Sequence, residues 1–228
     1  MAASAKGMGE QPSGLRLLLA CGVIGPPIFV VVFLIMGATR ADYSPLRHPI
    51  SALSIGESGW IQAANFVITG LLLLAFAMGL RLALRPSRGS VWGPLLVGLA
   101  GLGLIGAGLF TADPINGYPP GTPLMPAERT AHGLLHDLFG IPVFLGLPIA
   151  CFVFTYRFAR VGQRRWAAYS AFSGLAMFVT FVLAGMGFGQ VPGLAEIAGV
   201  FQRLSIAAGW TWIALLAVHL LRTPVRNA

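Results

Sequence analysis

Residues 94–113 read PLLVGLAGLGLIGAGLFTAD, a run without a charge until Asp113. A helix of this length matches the ~20 residues needed to cross the hydrocarbon of a bilayer. A surface helix of a soluble domain would show a polar face, and this run has none. Gly98, Gly101, Gly103, Gly106 and Gly108 lie within it and Gly93 just before it. In membranes such small residues let neighbouring helices approach closely. The stretch therefore reads as a transmembrane helix packed among others.

The rest of the chain agrees. Of 228 residues, 56% are hydrophobic and only 10% charged, and the mean hydropathy is +0.79. Soluble domains are about 25% charged, so the composition excludes disorder and argues against a soluble globule. The net charge of +8 does not point to nucleic acid. The cations sit between apolar runs instead of forming a basic domain, and no nucleic-acid motif is present. Cys21 and Cys151 both lie in apolar runs, which excludes a disulfide framework.

Six spans are expected, at about 16–36, 60–80, 94–112, 132–156, 166–188 and 204–221. Residues 1–14 and 223–228 read as cytoplasmic tails, and 15–222 as one transmembrane domain. The first run is too long for a signal peptide and lacks a cleavage site, so it is read as retained. Pro26 and Pro27 within it predict a kink, and Pro142 and Pro148 predict bends in the fourth span. Alternate connections carry Lys6, Arg16, Arg81, Arg85, Arg88, Arg157, Arg160, Arg164, Arg165, Arg222 and Arg226. The opposite set carries only Arg40, Arg47, Arg129 and Arg203, just ahead of the last span. The positive-inside rule then places both termini in the cytoplasm. The fold class is an all-α, polytopic six-helix bundle with the lipid bilayer as its surroundings.

That topology collects Asp42, Glu57, Asp113, Glu128, Asp137 and Glu196 on the outer side, with His48, His132 and His136. Pro126 reads as the first position of the fourth helix, with Glu128 in its first turn. Glu128, His132 and His136 then fall at i, i+4 and i+8 on one face. Two imidazoles at i, i+4 are a spacing that helical zinc sites use. Asp113, His48 or Glu57 is a candidate further ligand, with Glu128 or Glu57 to activate water and Glu128 alternatively to orient an imidazole. Gly133 follows His132, so the metalloprotease pattern His-Glu-x-x-His is absent. A metal-free ligand or proton site, or plain polar packing of the helix start against the loops, explains the same residues. Asp113 equally suits an ion pair with Arg47, Arg129 or Arg203. Ser51 is a candidate nucleophile beside the histidines, although no nucleophile-elbow glycines surround it; capping is the simpler role.

Other marks point to a family. His48-Pro-Ile-Ser-Ala-Leu-Ser54 leads to Gly59-Trp60 and Asn65-Phe66. The glycine-rich third span ends in Phe110-Thr-Ala-Asp113, and the His132/His136 pair opens the fourth. Over about residues 15–221 the chain resembles the bacterial DUF998 family. The resemblance implies a six-helix protein of the bacterial inner membrane and no reaction. Ser51, Asp113, His48, His132 and His136 are also the residue types used by the zinc hydrolases of the alkaline ceramidase and progestin-receptor superfamily. That group has seven helices and keeps its paired histidines on the last, so the likeness is one of chemistry. The functional expectation is an outward-facing His/Asp pocket for a metal or lipid-derived ligand. A zinc-dependent lipid hydrolase, an accessory subunit and a transporter are the alternatives. Transport is disfavoured because no Asp, Glu, Lys or Arg lies between the two membrane edges.

Overall fold

The computed structural model describes residues 11–84 and 91–223. The expected topology determinants Lys6, Arg85, Arg88 and Arg226 lie outside the described residues. Seven α-helices follow one another: α1 (Ser13–Thr39), α2 (Gly59–Ala83), α3 (Trp92–Leu109), α4 (Ala131–Ile141), α5 (Leu147–Arg160), α6 (Arg164–Phe188) and α7 (Ala198–Arg222). A π-helical segment, Pro142–Gly146, joins α4 to α5, so the two form one span, Ala131–Arg160. Pro142 and Pro148 each remove a ladder donor, and the backbone between them relaxes into the wider turn. Among the described residues, six helical segments are long and apolar enough to cross a membrane. α1 continues as one helix through Pro26 and Pro27.

Each span packs on its neighbours in the chain, and α7 returns to pack on α1, so the six form a closed ring. Small residues set several of the contacts. A Cβ on Gly70 would lie 2.6 Å from the Gly101 carbonyl oxygen, so α2 and α3 touch backbone to backbone. Gly106 of α3 leaves the space that the Phe139 ring of α4 fills. Closure between α7 and α1 uses an edge-on contact of Trp210 with Phe29, centroids 5.4 Å apart. At the end of the ring the Gln11 side-chain amide donates to the carbonyls of Leu220 (2.8 Å) and Thr223 (2.6 Å). Trp210 and Trp212 are buried packing residues, whereas Trp60 and Trp92 are exposed as interfacial anchors would be.

Several boundaries differ from expectation. Residues 11–14 are not tail: Gln11 is bonded to α7, and Ser13 opens α1. Helix α3 stops at Leu109, which leaves Asp113 in the loop beyond it. Helix α4 starts at Ala131, not Pro126, because Thr130 caps it by accepting the Gly133 N–H. Glu128 therefore lies outside the helix, and the Glu128–His132–His136 stripe does not form. Arg203 lies inside α7, whose first turns extend past the apolar run. The short helix expected after His48 is present as a 3-10 turn, Ile50–Ser54, preceded by Pro49.

Candidate functional site: a capped cavity at one end of the ring

Three connections cover one end of the bundle: residues 40–58, 110–130 and 189–197. They are tied together mainly through backbone carbonyls. Tyr43 Oη donates to the Pro49 carbonyl (3.1 Å) and accepts from Arg203 Nη2 (2.5 Å). Arg203 Nη1 donates to the carbonyls of His48 and Gly199, each at 3.0 Å. The Asn116 amide donates to the Arg47 carbonyl (3.2 Å) and accepts from Gln190 (2.6 Å). Tyr118 meets Tyr43 edge-on at 5.4 Å and lies 5.1 Å from the His48 ring.

His48 is buried in this knot, and its Nδ1 accepts the Ser44 N–H at 3.0 Å. An imidazole accepting at Nδ1 is unprotonated there. Burial holds its pKa below the ordinary histidine value, and the charges of Arg47 and Arg203 add to that; a backbone bond at Asn116 opposes it.

The other expected site residues go elsewhere. Asp113 accepts from the Thr130 backbone N–H (3.0 Å) and the Thr130 hydroxyl (2.6 Å). It pairs with none of the expected arginines: Arg47 faces Glu196 at 3.6 Å, and Arg129 pairs with Asp137. His136 is buried against the end of α3, its Nδ1 2.9 Å from the carbonyl oxygens of both Ala107 and Phe110. Those carbonyls have no acceptor role left in the helix that ends there, so an Nδ1–H donor satisfies them. His132, one turn earlier, reaches past the end of α3, is exposed and touches the Phe110 ring edge-on. Glu128 is exposed. Ser51 is half-buried in the 3-10 turn, and among the described residues no hydrogen bond joins its side chain to a histidine. The expected ligand set of His48, Asp113, His132 and His136 is thus not brought together. Among the described residues no three of His, Cys, Asp and Glu are grouped to hold a metal ion.

The structure gathers something else beneath the cap. A cavity of about 480 Å³ lies inside the ring, with Ile50 and Ser51 of the cap among its lining. Its walls are apolar: Phe29, Phe66, Leu104, Ala107, Phe144, Phe181 and Ile206. Its polar groups are Ser51, His136, Gln202 and the Arg129–Asp137 pair. Gln202 is buried; its Oε1 accepts the Ile50 N–H at 2.8 Å, which fixes the amide and leaves Nε2 as a donor. With Nδ1 of His136 engaged as donor, Nε2 is the acceptor of that ring. The size fits a small-molecule site, as does the mix of apolar walls with a few fixed polar groups. Gln202 escaped the sequence reading because a lone glutamine near a span carries no spacing signal. The wall residues escaped it because apolar side chains look alike from sequence whether they line a cavity or face lipid.

A deeper polar stripe lies on α2. Gln62, Asn65 and Thr69 are buried, and Asn65 Nδ2 donates to the Phe29 carbonyl at 3.1 Å. This ties α2 to α1 in the manner of polar residues between membrane helices.

The family model described as "Protein of unknown function (DUF998)" matches residues 23–219. No curated protein and no solved structure matches the chain.

Proposed function

The chain belongs to the DUF998 family, and on that premise we propose that it is a multi-pass protein of the bacterial inner membrane that holds a lipid-derived ligand in the capped cavity. The cavity itself carries this reading: an apolar chamber of about 480 Å³ between membrane-spanning helices, with fixed hydrogen-bonding groups at the capped end. A ligand of matching polarity has an apolar body and a small polar head. The bias of Lys and Arg toward the other end of the bundle supports placing the capped end outside the cell.

The test is to extract the protein with its surrounding lipid into nanodiscs or mild detergent and to identify bound small molecules by mass spectrometry. One ligand per chain is expected, and it should be lost in Ala107→Phe, which fills the cavity from the α3 wall. Equal lipid content in the variant and the natural chain would overturn the reading.

A further inference from the structure

We propose that the cavity is loaded sideways from the bilayer through a slot between α4 and α6, and that its ligand is a single-chain amphiphile with a neutral hydroxyl or ester head. This rests on the cavity being a ligand site.

The slot follows from how two antiparallel helices part company. Midway along α6, α5 and α6 are in tight contact: a Cβ on Gly174 would lie 2.9 Å from Cys151 Cβ. One step along in the same register, Phe144 and Phe181 stack with centroids 4.7 Å apart. One further turn toward the cap, that register brings Gly140 of α4 opposite Gly185 of α6. Here the close packing ends. Both glycines line the cavity, and a Cβ on either would meet nothing within 4 Å. α4 packs on α3, and α6 on α5 and α7, with no comparable packing between α4 and α6. The π-helical segment lies where the two diverge, and such wide turns often mark functional positions. These glycines therefore differ from those at the other helix contacts: they leave an opening. Both helices belong to segments long and apolar enough to span a membrane, which is what would turn the opening toward the bilayer. Directly above, the knot of Tyr43, His48, Tyr118 and Arg203 covers the bundle end.

The ligand class follows from volume and charge. A methylene occupies nearly the volume of a water, about 30 Å³, so the chamber accommodates on the order of sixteen carbons. That is one acyl chain, not the two of a membrane phospholipid. At the polar end, Arg129 is neutralised by Asp137, and among the described residues no uncompensated cation lines the cavity. An anionic head would find no counter-charge. His136 Nε2 accepts and Gln202 Nε2 donates, a pair that suits a hydroxyl or an ester oxygen.

The probe is radiolabelled 1-monodecanoylglycerol, bound to the full chain in detergent and chased with unlabelled compound. In the natural chain, unlabelled 1-monodecanoylglycerol should displace it, while equal concentrations of decanoate and didecanoylphosphatidylcholine should not. Gly140→Trp and Gly185→Trp should slow both uptake and release by about tenfold, and Leu134→Trp, on the exposed face of α4, should change neither. If a tryptophan variant fails to fold, Gly140→Cys in a Cys21→Ala background, alkylated with a bulky maleimide after purification, blocks the same slot. Release at the natural rate from every blocked variant, with Ala107→Phe abolishing binding, overturns the slot and leaves the site standing. Unchanged binding in Ala107→Phe overturns the site itself. Displacement by the two-chain lipid overturns the single-chain assignment, and displacement by decanoate overturns the neutral head.

Discussion

The carboxylate of Asp113 occupies the space that a side chain on Gly133 would need. Its two oxygens take the Thr130 N–H and hydroxyl, and the Thr130 oxygen in turn takes the Gly133 N–H. A Cβ at position 133 would overlap Asp113. Asp113 thereby braces the start of α4 from the loop that leaves α3, two links away from the helix it stabilises.

Gly133→Ala should consequently cost more than an ordinary glycine-to-alanine change in a helix, which gains up to about 1 kcal/mol. Here the sign reverses. Asp113→Ala should destabilise by about 1–2 kcal/mol, the scale of a lost cap with its charge-assisted bonds. Combining the two should cost less than their sum, since removing the carboxylate frees the space the methyl needs. Thermal unfolding in detergent reads all three; strict additivity would contradict the shared space.

His136 has a structural side and a cavity side, and the two separate by substitution. His136→Leu leaves the Ala107 and Phe110 carbonyls without that donor and should cost about 1–3 kcal/mol. His136→Asn places an amide donor near the Nδ1 position and removes Nε2. It should recover most of the stability and still weaken ligand retention. Melting temperature and bound ligand, measured on the same samples, distinguish the outcomes.

His48 sets a pH dependence with a defined sign. Unfolded, its imidazole takes a proton near pH 6.5. Folded, it resists protonation to lower pH because it is buried beside Arg47 and Arg203. The unfolded state then binds more protons, so stability is full above about pH 6.5, falls as the pH drops below it, and levels off beneath the folded value. His48→Asn retains an acceptor for the Ser44 N–H and should flatten this slope. Unfolding midpoints from about pH 7.5 to 5 in both proteins check the difference.

Six spans put the two ends of the transmembrane domain on one side of the membrane. The positive-inside rule predicts that this side is the cytoplasm. Alkaline phosphatase fused after Gly56 should be active, and fused after Gly162 inactive. The reverse pattern would invert the bundle and place the cavity at the inner leaflet.

The spans were legible because an uncharged run of about twenty residues has few alternatives in water. Their ends were less so. Pro126 offered a good first position for a helix, and Thr130, four residues on, took the role because Asp113 was there to support it. Nothing in the local sequence of either residue announces the other. The histidine pair shows the same limit. Spacing of i, i+4 does align His132 with His136, yet α3 ends between their levels, so one is buried and the other exposed. Conversely, Gly133, which spoils the metalloprotease pattern, has its reason in the approach of Asp113. Cavity and slot were out of reach of periodicity: Gly140 and Gly185 resemble the packing glycines of α3 until the register shows that no helix fills the space beside them.

Closure of the ring through α1 and α7 has a consequence for biosynthesis. Inserted into the membrane first, α1 lacks one of its two neighbours until α7 has been made, and the Gln11 amide has no carbonyls of Leu220 and Thr223 to bind until then. Five spans can assemble pairwise as they emerge, but the chamber they surround stays open to lipid on one flank. A nascent chain stalled before α7 would leave Phe29 without its Trp210 partner and the flank of α1 exposed to the bilayer, a surface that quality-control proteases of the membrane can recognise.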